Sequence, residues 1–172
     1  WHHDGTELRD GDGDPATDGV FLQRNEAWGF SSPALFDLDG DGAAEILFGT
    51  RYEDGTPNGL EAYDADGTLV PGFPVSTGGD HVICSPAVAD LNRDGSEEII
   101  FFSTGHELFV VGLDGAAYPG FPVSFDSNFD DSPGPSPAVG DFDADTDLEI
   151  VWPVNGGSYR LDIILVDTGL TD

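Results

Sequence analysis

One six-residue pattern occurs three times in this chain of 172 residues. It reads Ser32-Pro33-Ala34-Leu35-Phe36-Asp37, then Ser85-Pro86-Ala87-Val88-Ala89-Asp90, then Ser136-Pro137-Ala138-Val139-Gly140-Asp141, so the closing aspartates stand 53 and then 51 residues apart. Each copy leads into an acidic nonapeptide and then an apolar run: Glu45-Ile46-Leu47-Phe48, Glu98-Ile99-Ile100-Phe101-Phe102 and Glu149-Ile150-Val151-Trp152. A further run ends in a turn, as Leu60-Glu61-Ala62-Tyr63 does before Asp64-Ala65-Asp66-Gly67, and Leu108-Phe109-Val110-Val111 before Asp114-Gly115. Pro71-Gly72-Phe73-Pro74-Val75-Ser76 then returns unchanged at Pro119 to Ser124. Each unit therefore reads as strand, acidic loop, strand, strand, Asp-Gly hairpin, strand. Four short antiparallel strands in about fifty residues make the unit of a propeller blade. A lone unit leaves edges unpaired and a face unburied, so units of this kind must stack on one another.

The expected fold is all-β: β-propeller-type repeats of four-stranded antiparallel blades, about three of them, with incomplete terminal blades. Residues 1–29 would supply the last hairpin and outer strand of a blade plus an acidic loop, 30–80 repeat 1, 81–131 repeat 2, and 132–172 repeat 3 without its last strand. Composition agrees, since 24 Gly and 12 Pro, with no long apolar stripe at helical period, favour short strands and tight turns. The 34 acidic side chains face only five basic ones, all Arg, for a formal charge of −29. Such a chain repels phosphate backbones and anionic membrane surfaces, which excludes a nucleic-acid partner and turns attention to cations. High charge also suits a disordered chain, but 38% apolar and 11% aromatic residues gathered in short runs are enough for a core. No run approaches the ~18 apolar residues of a membrane-spanning helix, so no membrane insertion is expected. The single Cys excludes an internal disulfide framework. The absence of Met, even at position 1, reads as a processed or excised chain, in keeping with export.

The acidic loops carry the chemistry. In the first, Asp37, Asp39 and Asp41 hold positions 1, 3 and 5, with Gly42 at 6 and Glu45 at 9. The second has Asp90, Asn92, Asp94, Gly95 and Glu98 at those places, and the third has Asp141, Asp143, Asp145, Thr146 and Glu149. Alternate residues of a tight loop turn their oxygens inward, the carbonyl at position 7 (Ala43, Ser96, Asp147) can add another, and the position-9 carboxylate closes the shell. Ca²⁺ takes six to eight hard oxygens at ~2.3–2.6 Å, whereas Mg²⁺ prefers a smaller octahedron with more water. About three Ca²⁺ per chain are therefore expected. The twelve-residue helix-loop-helix calcium site is excluded, because position 12, which should be a bidentate Glu, is Phe48, Phe101 or Trp152 inside a strand-like run. Bare solvated turns are the bland alternative. Without a cation, carboxylates packed within ~4 Å repel by ~1–4 kcal/mol per pair, so the metal should be structural and its binding should contribute to folding. The first loop, with four carboxylates and its Gly, is expected to bind tightest; Asn92 and Arg93 weaken the second, and Thr146 replaces a glycine suited to positive φ in the third. A fourth candidate, off the repeat register, is Asp10, Asp12, Asp14 and Asp18, with Pro15 at position 6.

The Ser-Pro-Ala strand, the Asp-x-Asp/Asn-x-Asp-(Gly)-x-x-Glu loop and the apolar strand after it together resemble the FG-GAP/VCBS repeat family, the blades of integrin α-subunit propellers and of many secreted bacterial and archaeal proteins. The resemblance covers roughly residues 28–172. It implies a β-propeller with Ca²⁺ in its inter-strand loops and an extracellular or cell-surface life in adhesion, ligand binding or scaffolding. Thr146 and the small number of repeats depart from the family pattern.

The ends complement one another. Trp1-His2-His3-Asp4-Gly5-Thr6-Glu7-Leu8 aligns with Tyr63-Asp64-Ala65-Asp66-Gly67-Thr68-Leu69, the last hairpin of a blade, while Leu161 to Gly169 supplies a third strand and stops before the fourth. Between chains this favours head-to-tail strand addition into a ring or filament, so copies of the same chain are the expected partners; a fragment of a longer propeller is the other reading. No catalytic constellation emerges. Asp167-Thr168-Gly169 resembles an aspartic-protease motif but occurs once, the histidines His2, His3, His81 and His106 are expected at the surface, with a transition metal at the adjacent His2-His3 as the alternative, and Cys84, Phe73 and Phe121 read as packing residues. The expectation is a non-catalytic, calcium-stabilised structural or adhesion protein. The alternative is a carbohydrate- or protein-ligand-binding propeller fragment of a larger secreted protein or enzyme, which would not need complementary half-blades.

Overall fold

A computed structural model describes residues 21, 23, 31–125, 135–143, 145, 147–155 and 161–167. Eleven strands run through them: β1 Ala34–Phe36, β2 Glu45–Gly49, β3 Gly59–Tyr63, β4 Val75–Ser76, β5 Ala87–Ala89, β6 Glu98–Phe102, β7 Glu107–Gly112, β8 Val123–Ser124, β9 Ala138–Gly140, β10 Glu149–Asn155 and β11 Leu161–Val166. No helix forms among these residues, and none is long and apolar enough to cross a membrane. The expected all-β architecture is what the chain adopts. Three antiparallel sheets follow the repeat, in the orders β1-β2-β3-β4, β5-β6-β7-β8 and β9-β10-β11. The expected N-terminal unit, 1–29, lies outside the described residues except for 21 and 23, and so do the fourth acidic candidate at Asp10 to Asp18 and the histidines His2 and His3.

The register is the same in every sheet. Ile46 pairs with Tyr63, Ile99 with Val111 and Ile150 with Val166, so the repeat in sequence is a repeat in space. Each first strand follows a proline, Pro33, Pro86 or Pro137, whose missing N–H is tolerated at a strand entrance. Tight turns close the third strands: the Gly67 amide donates to the Asp64 carbonyl at 2.9 Å, and the Gly115 amide to the Gly112 carbonyl at 2.9 Å. Both turn glycines have positive φ, 84° and 76°, which an L side chain resists.

The core lies between the sheets. Strand β6 is buried along its whole length, as an inner blade flanked on both faces must be. Leu47, Leu60 and Ala62 on one face of the first sheet join Ile99, Phe101 and Phe109 of the second in a single apolar cluster. The opposite face of β6 turns Phe102 to the third sheet, where it stacks on Trp152 with ring centroids 3.6 Å apart. Trp152 also donates its indole N–H to the Pro135 carbonyl at 3.0 Å, so the ring is held from both ends. Cys84 is the packing residue expected of it: its thiol is buried against the Phe102 backbone, and burial pushes it up to about 11. His81 and His106, expected at the surface, are instead half-buried, because their backbones join neighbouring loops: the Thr104 amide donates to the His81 carbonyl and the Phe125 amide to the His106 carbonyl.

Blade contact is close enough to demand glycine. A Cβ on Gly49, the last residue of β2, would stand 2.3 Å from the Val82 carbonyl oxygen, beside the hydrogen bond from the Val82 amide to the Thr50 carbonyl. Backbone cannot rotate away as a side-chain tip can. Gly49→Ala is therefore expected to cost at least ~3 kcal/mol, the upper end of ordinary overpacking, read as a lower urea midpoint. An unchanged midpoint would mean that these two segments do not touch.

Candidate metal centre

The acidic loops join first to second strands in all three sheets, at 37–44, 90–97 and 141–148. Their folding is driven by the aspartates themselves. In the first loop the Asp37 carboxylate accepts the Gly40 and Gly42 amides at 2.8 and 2.9 Å, Asp39 accepts the Asp41 amide at 3.1 Å, and Asp41 accepts the Ala43 amide at 2.7 Å. The second repeats the scheme, with Asp90 on the Asp94 and Gly95 amides at 3.0 and 2.9 Å and Asp94 on the Ser96 amide at 2.8 Å. Gly42 and Gly95 make the turn with φ of 91° and 93°. Such side-chain-to-backbone bonds explain why Asp, at alternate positions, fixes a loop that turns its remaining oxygens one way.

Position 9 has a second job. Glu45, Glu98 and Glu149, the first residues of β2, β6 and β10, are almost wholly buried. Each accepts the position-2 amide through Oε2: Leu38 at 2.6 Å, Leu91 at 2.9 Å, and Phe142. One oxygen thus clamps the loop to its strand, and in Glu149 the other is buried without a hydrogen-bond partner among the described residues. Burial raises the Glu45 carboxyl above its ordinary value; the Leu38 amide opposes this, and the charges of Asp39, Asp64 and Asp37 add to it. Glu98 is raised in the same way by burial, against the Leu91 amide and with Asp94, Asp90 and Glu97.

The loops gather their carboxylates differently. In the first, Asp37, Asp39 and Asp41 bring oxygens within 4.8 Å of one another, with Glu45 beside them on its amide. In the second, Asp90, Asp94 and Glu98 make no such group among the described residues; Asn92 donates to Asp94 at 2.9 Å and to the Tyr118 hydroxyl at 3.2 Å, and this amide holds the Asp94 carboxyl low. The third loop makes two groups, Asp141 with Asp143 and Glu149, and Asp145 with Asp147, Glu149 and Asp167. Arg93 reaches across from the second loop to Asp141 at 2.9 Å. The Asp147 amide pulls the Asp145 carboxyl down, but partial desolvation, the Asp147 carboxyl and the charge of Asp143 outweigh it and leave it raised.

The donor set fits a hard cation. Every converging group is a carboxylate, and Oε1 of Glu149 is buried without a hydrogen-bond partner among the described residues, an arrangement a cation would relieve. Sequence reasoning missed Asp64 and Asp167. Their signal is register: each follows the strand residue opposite Ile46 or Ile150 and so stands beside Glu45 or Glu149. It also missed Glu61, buried on β3 with the Tyr52 and Tyr63 hydroxyls donating to its two oxygens at 2.8 and 2.7 Å. A carboxylate inside an apolar run is the only hint the sequence offers. The second sheet carries Phe109 at the same register, opposite Phe101 as Glu61 is opposite Phe48.

Residues 37–101 match the family model of the FG-GAP-like repeat. The match runs from the first acidic loop through the second to β6 and bears out the family resemblance over that stretch. No curated protein matches the chain.

Proposed function

For a chain that carries an FG-GAP-like repeat, we propose a non-catalytic, calcium-stabilised structural or adhesion module that works outside the cell. One observation supports it most: three Asp-rich loops, each with the position-7 amide donating to the position-5 aspartate, recur at the same place in three stacked sheets. Chance acidic turns have no reason to keep that register. Calcium at the loops would tie the first strand of each blade to its second, which is where the buried position-9 glutamates already act as clamps. The first loop should bind tightest, because its three aspartates converge unopposed while Arg93 occupies an oxygen of Asp141 in the third. In calcium titrations, Asp37→Ala is expected to abolish the highest-affinity class, with Asp90→Ala and Asp141→Ala retaining it. Loss of that class from either of the other two variants instead would reverse the order.

The same stacking favours assembly with further blades. In the third sheet the face that carries Trp152 meets the second sheet, and the opposite face leaves Ile163 and Leu165 of β11 exposed. The equivalent face of the second sheet is covered. A second copy of the chain, added head to tail, would cover it, so Ile163→Asp is expected to reduce the particle mass seen by light scattering in calcium; a mass that is monomeric with and without the substitution would refute self-assembly.

A ligand-binding role is the second reading, and one feature favours it. A cleft of about 500 Å³ beside the first sheet is lined by Tyr52, Glu53, Thr56, Asn58, Ser76 and His81, an aromatic and polar set suited to a carbohydrate or a peptide.

A further inference from the structure

We propose that the third acidic loop holds two divalent cations, the second seated between Asp145, Asp147, Glu149 and Asp167 with Glu149 shared between the two. This rests on the reading that the loops take calcium, and goes beyond one ion per loop. In the first loop the side chains at positions 1, 3 and 5 converge on one point. In the third they divide: Asp141 and Asp143 stay together, while Asp145 groups with Asp147 and Asp167, and Glu149 alone belongs to both.

Two sequence differences among the described residues account for the division. Position 7 is Asp147 here and Ala43 or Ser96 in the other loops, so only this loop has a side-chain oxygen at that place beyond a hydroxyl. The residue after the third strand is Asp167, where the second sheet has Gly112 paired with Glu98. The first sheet has Asp64 there but only Ala43 at position 7, so it has one half of the extra group and lacks the other.

Burial supplies the independent sign of a ligand. Asp147 is 3% exposed and Glu149 1% exposed. Oε2 of Glu149 is used on the Phe142 amide, and Oε1 is buried with no partner among the described residues. A single dication at Asp141 and Asp143 would leave the second group, in which Glu149 joins Asp145, Asp147 and Asp167, without an ion. A second dication satisfies it, and a bridging carboxylate is the usual way for one protein to hold two cations ~3.5–4 Å apart. All-oxygen ligands select Ca²⁺ or a similar hard ion.

Counting bound calcium by equilibrium dialysis tests this on the full chain. Asp167→Asn is expected to lose one ion per chain, Asp141→Asn with Asp143→Asn to lose one, and the three substitutions together to lose two. If the combination loses only one, the loop holds a single ion and the proposal fails; if Asp167→Asn loses none, it fails as well. Should Asp167→Asn disturb folding by circular dichroism, Asp147→Ser gives the same reading, since Ser96 fills that position in the second loop. Retention of every ion by Asp147→Ser would also overturn the proposal. An unsubstituted chain that binds no calcium overturns the reading of all the loops, a result distinct from retention of the other ions.

Discussion

Removing calcium is expected to bring this protein close to its unfolding midpoint. A ligand at a hundredfold excess over its Kd stabilises a fold by ~2.7 kcal/mol per site, so three loops at that saturation supply ~8 kcal/mol. A domain of ordinary stability has ~5–15 kcal/mol in all. Mutual repulsion inside the emptied loops adds to the loss: in the first, three carboxylates stand within 4.8 Å of one another. For a chain of this length each kcal/mol shifts the melting temperature by ~2–4 °C, which predicts a fall of roughly 15–30 °C between calcium and chelator. Circular dichroism melts in the two conditions measure it. Magnesium should restore only part of the difference, because it prefers a smaller octahedron and keeps its water. A melting temperature indifferent to chelator would remove the structural role assigned to the metal.

How far the sequence reached depends on the range of the interactions concerned. The four-strand unit was legible because each strand, loop and turn is specified locally: Pro33, Pro86 and Pro137 at strand entrances, alternate Asp in the loops, and Gly67 and Gly115 at the turns. Repetition then multiplied a weak signal. The clamp made by Glu45, Glu98 and Glu149 was half legible, since their place at position 9 follows from spacing, but their hold on the position-2 amide needs the path of the chain. Asp167 and the partners of Glu61 lay beyond reach, because they depend on which strand residues face each other. Val166 opposite Ile150 places Asp167 beside Glu149, and Tyr52 reaches Glu61 from outside the strand. The half-buried His81 and His106 follow the same rule: the Thr104 amide on the His81 carbonyl and the Phe125 amide on the His106 carbonyl flank the β5-β6 and β7-β8 pairings, so their burial also depends on which strands lie side by side.

The pH dependence of stability is expected to reverse sign when calcium is removed. In the metal-free chain, burial raises the carboxyls of Glu45 and Glu98 above the ordinary value of 4.5. A group whose folded pKa is raised binds its proton more tightly in the folded state, so its stabilising effect is complete below the ordinary value and disappears as pH rises through the folded one. The metal-free protein should therefore melt at lower temperature at neutral pH than near pH 4.5. Calcium inverts this, because a bound dication favours the ionised carboxylates and pushes the same groups down. The loaded protein should then be most stable at neutral pH and lose stability as acid protonates its ligands, so the two melting curves converge at low pH and separate toward neutrality. Glu98→Gln sharpens the test: the amide cannot ionise, so it should flatten the rise toward acid in the metal-free chain while weakening calcium binding at the second loop. Parallel slopes with and without calcium would show that the buried glutamates do not face the cation, and that the metal, if it binds, is held by the exposed aspartates alone.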